Sequence, residues 1–260
     1  MLNEAMCGRF TLTASPDEIA SLFGLATIEA FPPRYNIAPT QPILIVIGGS
    51  DERPAAPRPG RMTMLVRWGL LPGWLKDAKG FPLLFNARSE TAAEKNAFRA
   101  ALRHRRCLVP ATGFYEWRRS GSAKAEPYLL QPADHRPFAF AGLQETWLAP
   151  DGSEIDTAAI MTKSASGAIA AIHERMPVVI PQEAYDGWLN CRDNEPAEAL
   201  ALTRLVEGDF FRAVRISERV NAVANTGPDI QTPLPERERG EAPDSEAARP
   251  PADAEQFRLL

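Results

Sequence analysis

The chain has 260 residues and a net charge of −4, with the apolar and charged fractions of an ordinary soluble globular protein. That length holds one large domain or two small ones. It offers no stretch apolar enough for a membrane span, and residues 1–15 lack the basic-then-apolar order of a secretory signal.

The first informative stretch in chain order is Met6-Cys7-Gly8-Arg9-Phe10. A small residue after methionine permits removal of that methionine, so translation from Met6 gives a chain that begins at Cys7. Residues 1–5 are then either a misassigned start or a short leader. A terminal Cys7 carries an α-amine and a thiol two carbons apart. The amine has a reference pKa of about 7.7–8.0 against about 10.4 for lysine, so far more of it is neutral at pH 7. A neutral amine attacks an aldehyde to give a Schiff base, and the thiol can close on the imine carbon as a thiazolidine. The alternative is a small buried hydrophobe without chemistry.

Ser15-Pro16-Asp17-Glu18 is a capping box with proline at the first helical position, and Ile19, Leu22 and Phe23 follow at helical spacing. Phe31 to Pro39 is too proline-rich for a regular element and reads as a loop. Ile43–Ile47 reads as a buried strand, 51–60 as an exposed proline-rich connection, and 62–71 as a strand stopped by Pro72-Gly73. Trp74 beyond it either closes a core edge or stacks on a base. The stretch Asn86 to Thr91 leads into a helix expected over 92–103, with Ser89 as its N-cap and Ala97, Phe98, Ala101 and Leu102 inward. Asn86 and Arg88 lie just ahead of it, where backbone amides favour anions.

Cys107–Pro110 is an expected strand with an inert cysteine. In Gly113-Phe114-Tyr115-Glu116-Trp117, alternation puts Phe114 and Glu116 on one face and Tyr115 and Trp117 on the other. A carboxylate among aromatics either faces water at an edge or sits in a pocket with a raised pKa, which suits a general acid. Further strands are expected at 128–131, 138–143, 158–162, 178–180 and 211–216, with a hairpin-like loop over 120–126 and helices over 181–189 and 196–206. His173 and Arg175 sit at the end of an element, where a site reading competes with a structural one. Residues 220–225 lead out of the fold. The tail after Gln231, with seven acidic and four basic residues, is expected to be disordered.

Cys7, Cys107 and Cys191 form no C-x-x-C pair, and His104, His135 and His173 show no metal-ligand spacing. The expectation is a cytoplasmic protein that holds no metal and no cofactor. The run Arg99, Arg103, His104, Arg105, Arg106 leaves room for a local positive patch on a near-neutral body.

Taken together, these motifs resemble the SRAP proteins, which process abasic sites in DNA. The matching pieces are Met6-Cys-Gly-Arg-Phe10, Arg34-Tyr-Asn-Ile-Ala-Pro39, Arg67-Trp-Gly69 with Pro72-Gly-Trp74, Asn86-Ala-Arg-Ser-Glu-Thr91, Gly113-Phe-Tyr-Glu-Trp117, Ile172-His-Glu-Arg-Met-Pro177, and Val220-Asn221 with Asn225. They occur in order across nearly all of residues 6–230. The resemblance implies one α+β domain of mainly antiparallel sheets, curled into a barrel-like core flanked by helices. It implies that Cys7 bonds covalently to the ring-opened aldehyde of an abasic site in single-stranded DNA, shielding the lesion in a DNA damage (SOS) response. Asn86 then holds the linkage, Glu116 transfers protons, His173 assists ring opening and reversal, and Thr162 supports the pocket. Arg9, Asn36, Trp74, Arg88 and Arg175 fall along the expected DNA path of a monomer. A weak lyase and a self-processing peptidase activity are implied with it. The competing readings are an N-terminal-nucleophile amidohydrolase, which also begins Met-Cys-Gly but needs Asn-Gly and Gly-Asp signatures, and a non-covalent single-strand-binding module.

Overall fold

In the computed structural model, residues 7–48, 60–119, 124–204 and 206–235 are described. The expected leader (1–5), most of the 51–60 connection and the tail from residue 236 onward lie outside them. Strand β1 (Phe10–Leu12) enters helix α1 (Pro16–Phe23) through the capping box: Glu18 N–H donates to Ser15 Oγ at 3.3 Å, and Glu18 Oε2 accepts from Ser15 N–H at 2.8 Å. Gly24, at φ 61°, closes the helix in the left-handed conformation that glycine adopts without strain. Ile19 and Phe23 are buried, and Phe23 stacks on Tyr185 with ring centroids 5.1 Å apart.

Next come β2 (Arg34–Ile37), β3 (Pro42–Ile47), β4 (Met62–Trp68), β5 (Asn86–Arg88), α2 (Arg99–His104), β6 (Arg106–Ala111) and β7 (Gly113–Arg118). They are followed by β8 (Glu126–Pro132), β9 (Phe138–Leu148), β10 (Glu154–Ser164), α3 (Gly167–Ala170), β11 (Arg175–Pro177), β12 (Val179–Ile180), α4 (Tyr185–Leu189), α5 (Pro196–Leu202) and β13 (Phe211–Arg215). Two expectations are corrected. The proline-rich 31–39 stretch contains β2, because one of its edges pairs with β1 (Phe10 with Ile37). The helix expected from residue 92 begins at Arg99 instead. The Ser89 N–H donates to Thr162 O at 2.8 Å, which ties the segment to β10, and residues 89–98 run as turns interrupted at Lys95. Phe98, Ala101 and Leu102 are nonetheless buried.

Five strands close on themselves. β3 pairs antiparallel with β4 and β6, β6 with β9, and β9 with β10, while β10 returns to β4 in parallel. The result is a small mixed barrel, which leaves no open edge within that ring. The other sheet is antiparallel, in the order β13-β8-β7-β1-β2. The chain crosses between the two sheets at Ala111-Thr112-Gly113. A Cβ on Gly113 would fall 2.9 Å from Leu130 O, so only glycine permits that approach.

Edge-to-face aromatics fill the space between the sheets: Phe10 against Trp68 (5.2 Å) and Phe140 (6.0 Å), and Phe114 against Phe211 (5.0 Å). Much of the basic run is structural. Buried Arg106 donates to the carbonyls of Leu102, Trp188, Asn190 and Asn194 at 2.6–3.0 Å, Arg103 pairs with Glu195, and Arg105 pairs with Glu145.

β10 organises the site. Its first half completes the barrel, with Thr157 beside Arg67 of β4 and Ile160 beside Gly142 of β9. Its second half is flanked by β5 (Ile160–Asn86, Thr162–Arg88) and β11 (Thr162–Pro177, Ser164–Arg175). One eleven-residue strand therefore sets Asn86, Arg88, Thr162 and Arg175 in adjacent rows.

Candidate active site

Cys7 stands where the two sheets meet. Its backbone N–H donates to Glu116 Oε1 at 2.8 Å, and its carbonyl accepts from Asn86 Nδ2 at 3.3 Å. Glu116 comes from β7 in the antiparallel sheet and Asn86 from β5 beside the barrel, so the cysteine is gripped from both. β1 sets this position: Phe10 pairs with Phe114, and Tyr115 N–H donates to Arg9 O at 3.0 Å, carrying Cys7 alongside Glu116.

The alternation expected for β7 is present. Phe114 joins the main core, while Tyr115 packs in a separate cluster with Trp117 beside it, and Tyr115 Oη donates to Tyr35 O at 2.6 Å. Glu116 is buried with Phe114. Removal from water disfavours its charged form and pushes its pKa up to about 8, against the opposing pull of hydrogen bonds from the Cys7 and Trp117 backbone. At neutral pH the carboxyl therefore keeps its proton in much of the population. The fully buried Cys7 thiol is raised well above its ordinary 9, by burial first and then by the neighbouring Glu116 charge. It rests as a thiol, with thiolate chemistry suppressed until a base takes its proton.

Thr162 is buried at the centre of the β5–β10–β11 row. Arg175 is buried too, and its guanidinium reaches back to Thr162 O (2.9 Å) and Oγ1 (3.3 Å) while forking onto Glu90 at 2.7 and 2.9 Å. His173 is half-buried, and its Nδ1 accepts from Arg175 N–H at 3.0 Å, which fixes the ring to the start of β11. Arg88 is exposed on β5.

Arg9 and Asn36 form a different structure. Arg9 donates to Asn36 Oδ1 (2.8 Å) and to the carbonyls of Val220 (2.8 Å) and Asn221 (3.1 Å). Buried Asn36 donates to the carbonyls of Val220, Ala222 and Asn225 at 3.3, 3.1 and 2.9 Å. Residues 220–225, expected to leave the fold, are instead latched onto β1 and β2, because these two side chains satisfy carbonyls that no strand or helix satisfies. Trp117 adds a bond from Nε1 to Asn221 Oδ1 at 2.7 Å. Trp74 is 58% exposed, and its Nε1 donates to Asn96 O at 3.2 Å in a shallow cleft shared with Arg99.

Glu90 received no role from the sequence. Its fork with Arg175 spans 85 positions, and only the motif around Asn86 marks its neighbourhood. Among the described residues, no cluster of three or more His, Cys, Asp or Glu could hold a metal, and no helix is long and apolar enough to cross a membrane.

Comparison with known proteins places this geometry in context. The family model for SOS response associated peptidase (SRAP) matches residues 6–223. Abasic site processing protein YoqW of Bacillus subtilis is 36% identical over 228 residues, covering 86% of this chain and 98% of its own. Abasic site processing protein YedK of Escherichia coli is 29% identical, covering 88% of this chain and 100% of its own. A solved structure from Bacteroides thetaiotaomicron superimposes with a TM-score of 0.73 at 26% identity, covering 88% of this chain and all of the other.

Proposed function

This chain is a member of the SOS response associated peptidase (SRAP) family, and on that premise we propose that it processes abasic sites in DNA by covalent capture at Cys7. The observation that carries the reading is the 2.8 Å contact between the Cys7 nitrogen and buried Glu116. In a chain that begins at Cys7, that nitrogen is an α-amine beside a carboxyl. Burial disfavours the ammonium–carboxylate pair, so the proton stays on Glu116 and the amine stays nucleophilic.

The steps then balance through one carboxyl. The amine adds to C1′ of the ring-opened abasic sugar to give a carbinolamine. Glu116 donates its proton to the departing hydroxyl, which leaves as water, and an iminium remains. The Glu116 carboxylate takes the proton of the Cys7 thiol, and the sulfur adds to the iminium carbon. The product is a thiazolidine, and Glu116 is restored to its protonated form. Asn86, on the Cys7 carbonyl, holds the attacking residue against rotation. An abasic nucleotide has no base edge to read, so recognition falls to phosphate contacts and exposed aromatics. Arg88 and Trp74 supply such groups on the surface, and single-stranded DNA is the substrate they suit. The iminium also acidifies the C2′ proton, so a weak lyase activity accompanies slow ring closure.

The same contact favours a second activity. In the chain that still carries residue 6, a water that adds to the Met6 carbonyl gives Met6 a free carboxyl as the C–N bond breaks, and Glu116, 2.8 Å from the Cys7 nitrogen, supplies the proton that the departing amine takes. Self-processing therefore uses the same carboxyl before the first capture.

The test is single-stranded DNA with one abasic site, protein expressed from Met1 or from Met6, and intact mass after denaturation. A heat-stable adduct from the Met6 form, absent in Cys7→Ala, is expected. The Met1 form is expected to lose residues 1–6, and its Glu116→Gln variant to keep them. No adduct from a chain shown to begin at Cys7 rules out covalent capture.

A further inference from the structure

Gln231 lies beyond residues 6–223, the stretch that the family model matches, yet it bonds to both strands that lead to the reacting groups. Its Nε2 donates to Tyr115 Oη at 2.7 Å and to Thr11 Oγ1 at 3.2 Å. Each of those oxygens passes a bond on to β2: Tyr115 Oη donates to Tyr35 O at 2.6 Å, and Thr11 Oγ1 to Arg34 O at 3.1 Å. An amide NH2 carries two N–H donors and a hydroxyl gives one bond while accepting others, so donors and acceptors match throughout. The two carbonyls are successive, and they stand where the register of β1 against β2 slips between Phe10 and Leu12. A slip of this kind leaves a ladder group short of its backbone partner, and the two hydroxyls stand in.

The network is built into the sheet on the face of β7 that Tyr115 occupies, opposite Glu116. Thr11 and Tyr115 are both buried. Ile230, beside Gln231, is buried in the same cluster as Tyr115, Ile216 and Val220, which anchors the short helical turn Pro228–Gln231 against the sheet. Strand β1 is three residues long and meets β7 at Phe10–Phe114 and Thr11–Gly113. Cys7 precedes that short ladder and Glu116 follows it, so the 2.8 Å approach of the Cys7 nitrogen to the carboxyl depends on the register held there. Thr11 is thus both a rung of the ladder and a partner of Gln231.

We propose that Gln231 is a positioning residue for covalent capture: by donating to Thr11 and Tyr115 together, it holds β1 in register with β7 and keeps the Cys7 nitrogen within reach of Glu116. The inference rests on the abasic-site reading and adds a residue to it. Gln231 acts through two hydroxyls and not on the reacting atoms. The polarity of its contacts matters as much as their number. An ionised glutamate has nearly the same shape but only accepts. Both hydroxyls must then turn toward it and release the carbonyls of Arg34 and Tyr35, which loosens β1 at the slip.

The experiment compares wild type, Gln231→Glu and Gln231→Met in the full chain that begins at Cys7, each held well below its melting temperature. The rate of adduct formation on a single strand with one abasic site is followed across the pH range in which Glu116 titrates. Equilibrium binding to a strand with a reduced, non-reactive abasic site is measured in parallel. Gln231→Glu is expected to slow adduct formation about tenfold, less than the roughly hundredfold that a 1 Å misplacement can cost, with binding unchanged. Its rate profile should also move to higher pH, because the bond from Cys7 is one of the two that pull the Glu116 pKa down. Gln231→Met drops the donors without adding a charge, so it should shift the profile the same way and lose less rate. Should Gln231→Glu fail to fold, Gln231→Met carries the test alone. A lowered melting temperature with unchanged rate and pH profile is the signature of a purely structural clasp and overturns the proposal. So does a loss of rate matched by an equal loss of binding, which would place Gln231 at the DNA. Absence of any wild-type adduct would overturn the abasic-site reading itself, whereas a normal wild-type adduct with unaffected Gln231 variants overturns only this inference.

Discussion

Two carboxyls in this molecule, Glu116 and Glu90, are shifted in opposite directions from their ordinary pKa. Glu116 is buried against a backbone N–H with no cation beside it among the described residues, so burial prevails and its pKa is pushed up to about 8. Glu90 is half exposed and forked by a guanidinium, so hydrogen bonding prevails and the group stays ionised. Neither behaviour follows from residue type. The neutral acid can give and take a proton, and the ionised acid can only hold something still.

The widest test of that division is Glu116→Gln. Removing the proton that Glu116 holds beside the Cys7 nitrogen should slow adduct formation by about a hundredfold or more, the usual range for general acid–base catalysis. Quenched time courses on abasic single strands give the rate. A loss below threefold would move proton transfer elsewhere. Next in size is Asn36→Ala, which removes the Asn36 donor from the Ala222 and Asn225 carbonyls and leaves Val220 O with Arg9 alone. It should lower stability by about 2–3 kcal/mol, read as a drop of several degrees in Tm.

The smallest effect separates the two acids by pH, measured by urea unfolding of the form that retains residue 6. Because the folded pKa of Glu116 lies above its unfolded value, the stability it contributes is full below about pH 4.5 and is lost as pH rises toward 8. Glu90 has the lowered pKa, so its contribution is present above about pH 4.5 and is lost as pH falls. Glu116→Gln should therefore flatten the alkaline-side decline, and Glu90→Gln the acid-side one. Its partial exposure keeps the Glu90 effect small.

The sequence made the strands and the first helix legible because periodicity and capping are local. Ser15 and Glu18 are three residues apart, and alternation puts Glu116 on the face of Phe114, while the choice between an edge facing water and a buried pocket stayed open until the sheets were assembled. It also displayed Cys7, Asn86 and Glu116 as candidates. What it concealed is non-local. β2 is a strand because β1 lies beside it, and residues 89–98 run as turns tied to β10 by the Ser89 N–H on Thr162 O. Nothing near Glu90 announces a partner on β11, and nothing near Asn36 announces the three carbonyls it holds. Closure of the barrel is likewise invisible locally, since it depends on one strand meeting β9 on one edge and β4 on the other.

The latch of Arg9 and Asn36 on residues 220–225 has a consequence in time. The Cys7–Glu116 contact spans 109 positions, the Arg9–Val220 contact 211, and the Thr11–Gln231 contact 220. At about 5–20 residues per second, the ribosome takes on the order of tens of seconds between making the first partner and the last. Through that interval the nascent β1 lacks its final clasp. Translation speed thus sets how long the amino end waits before the molecule seals over it.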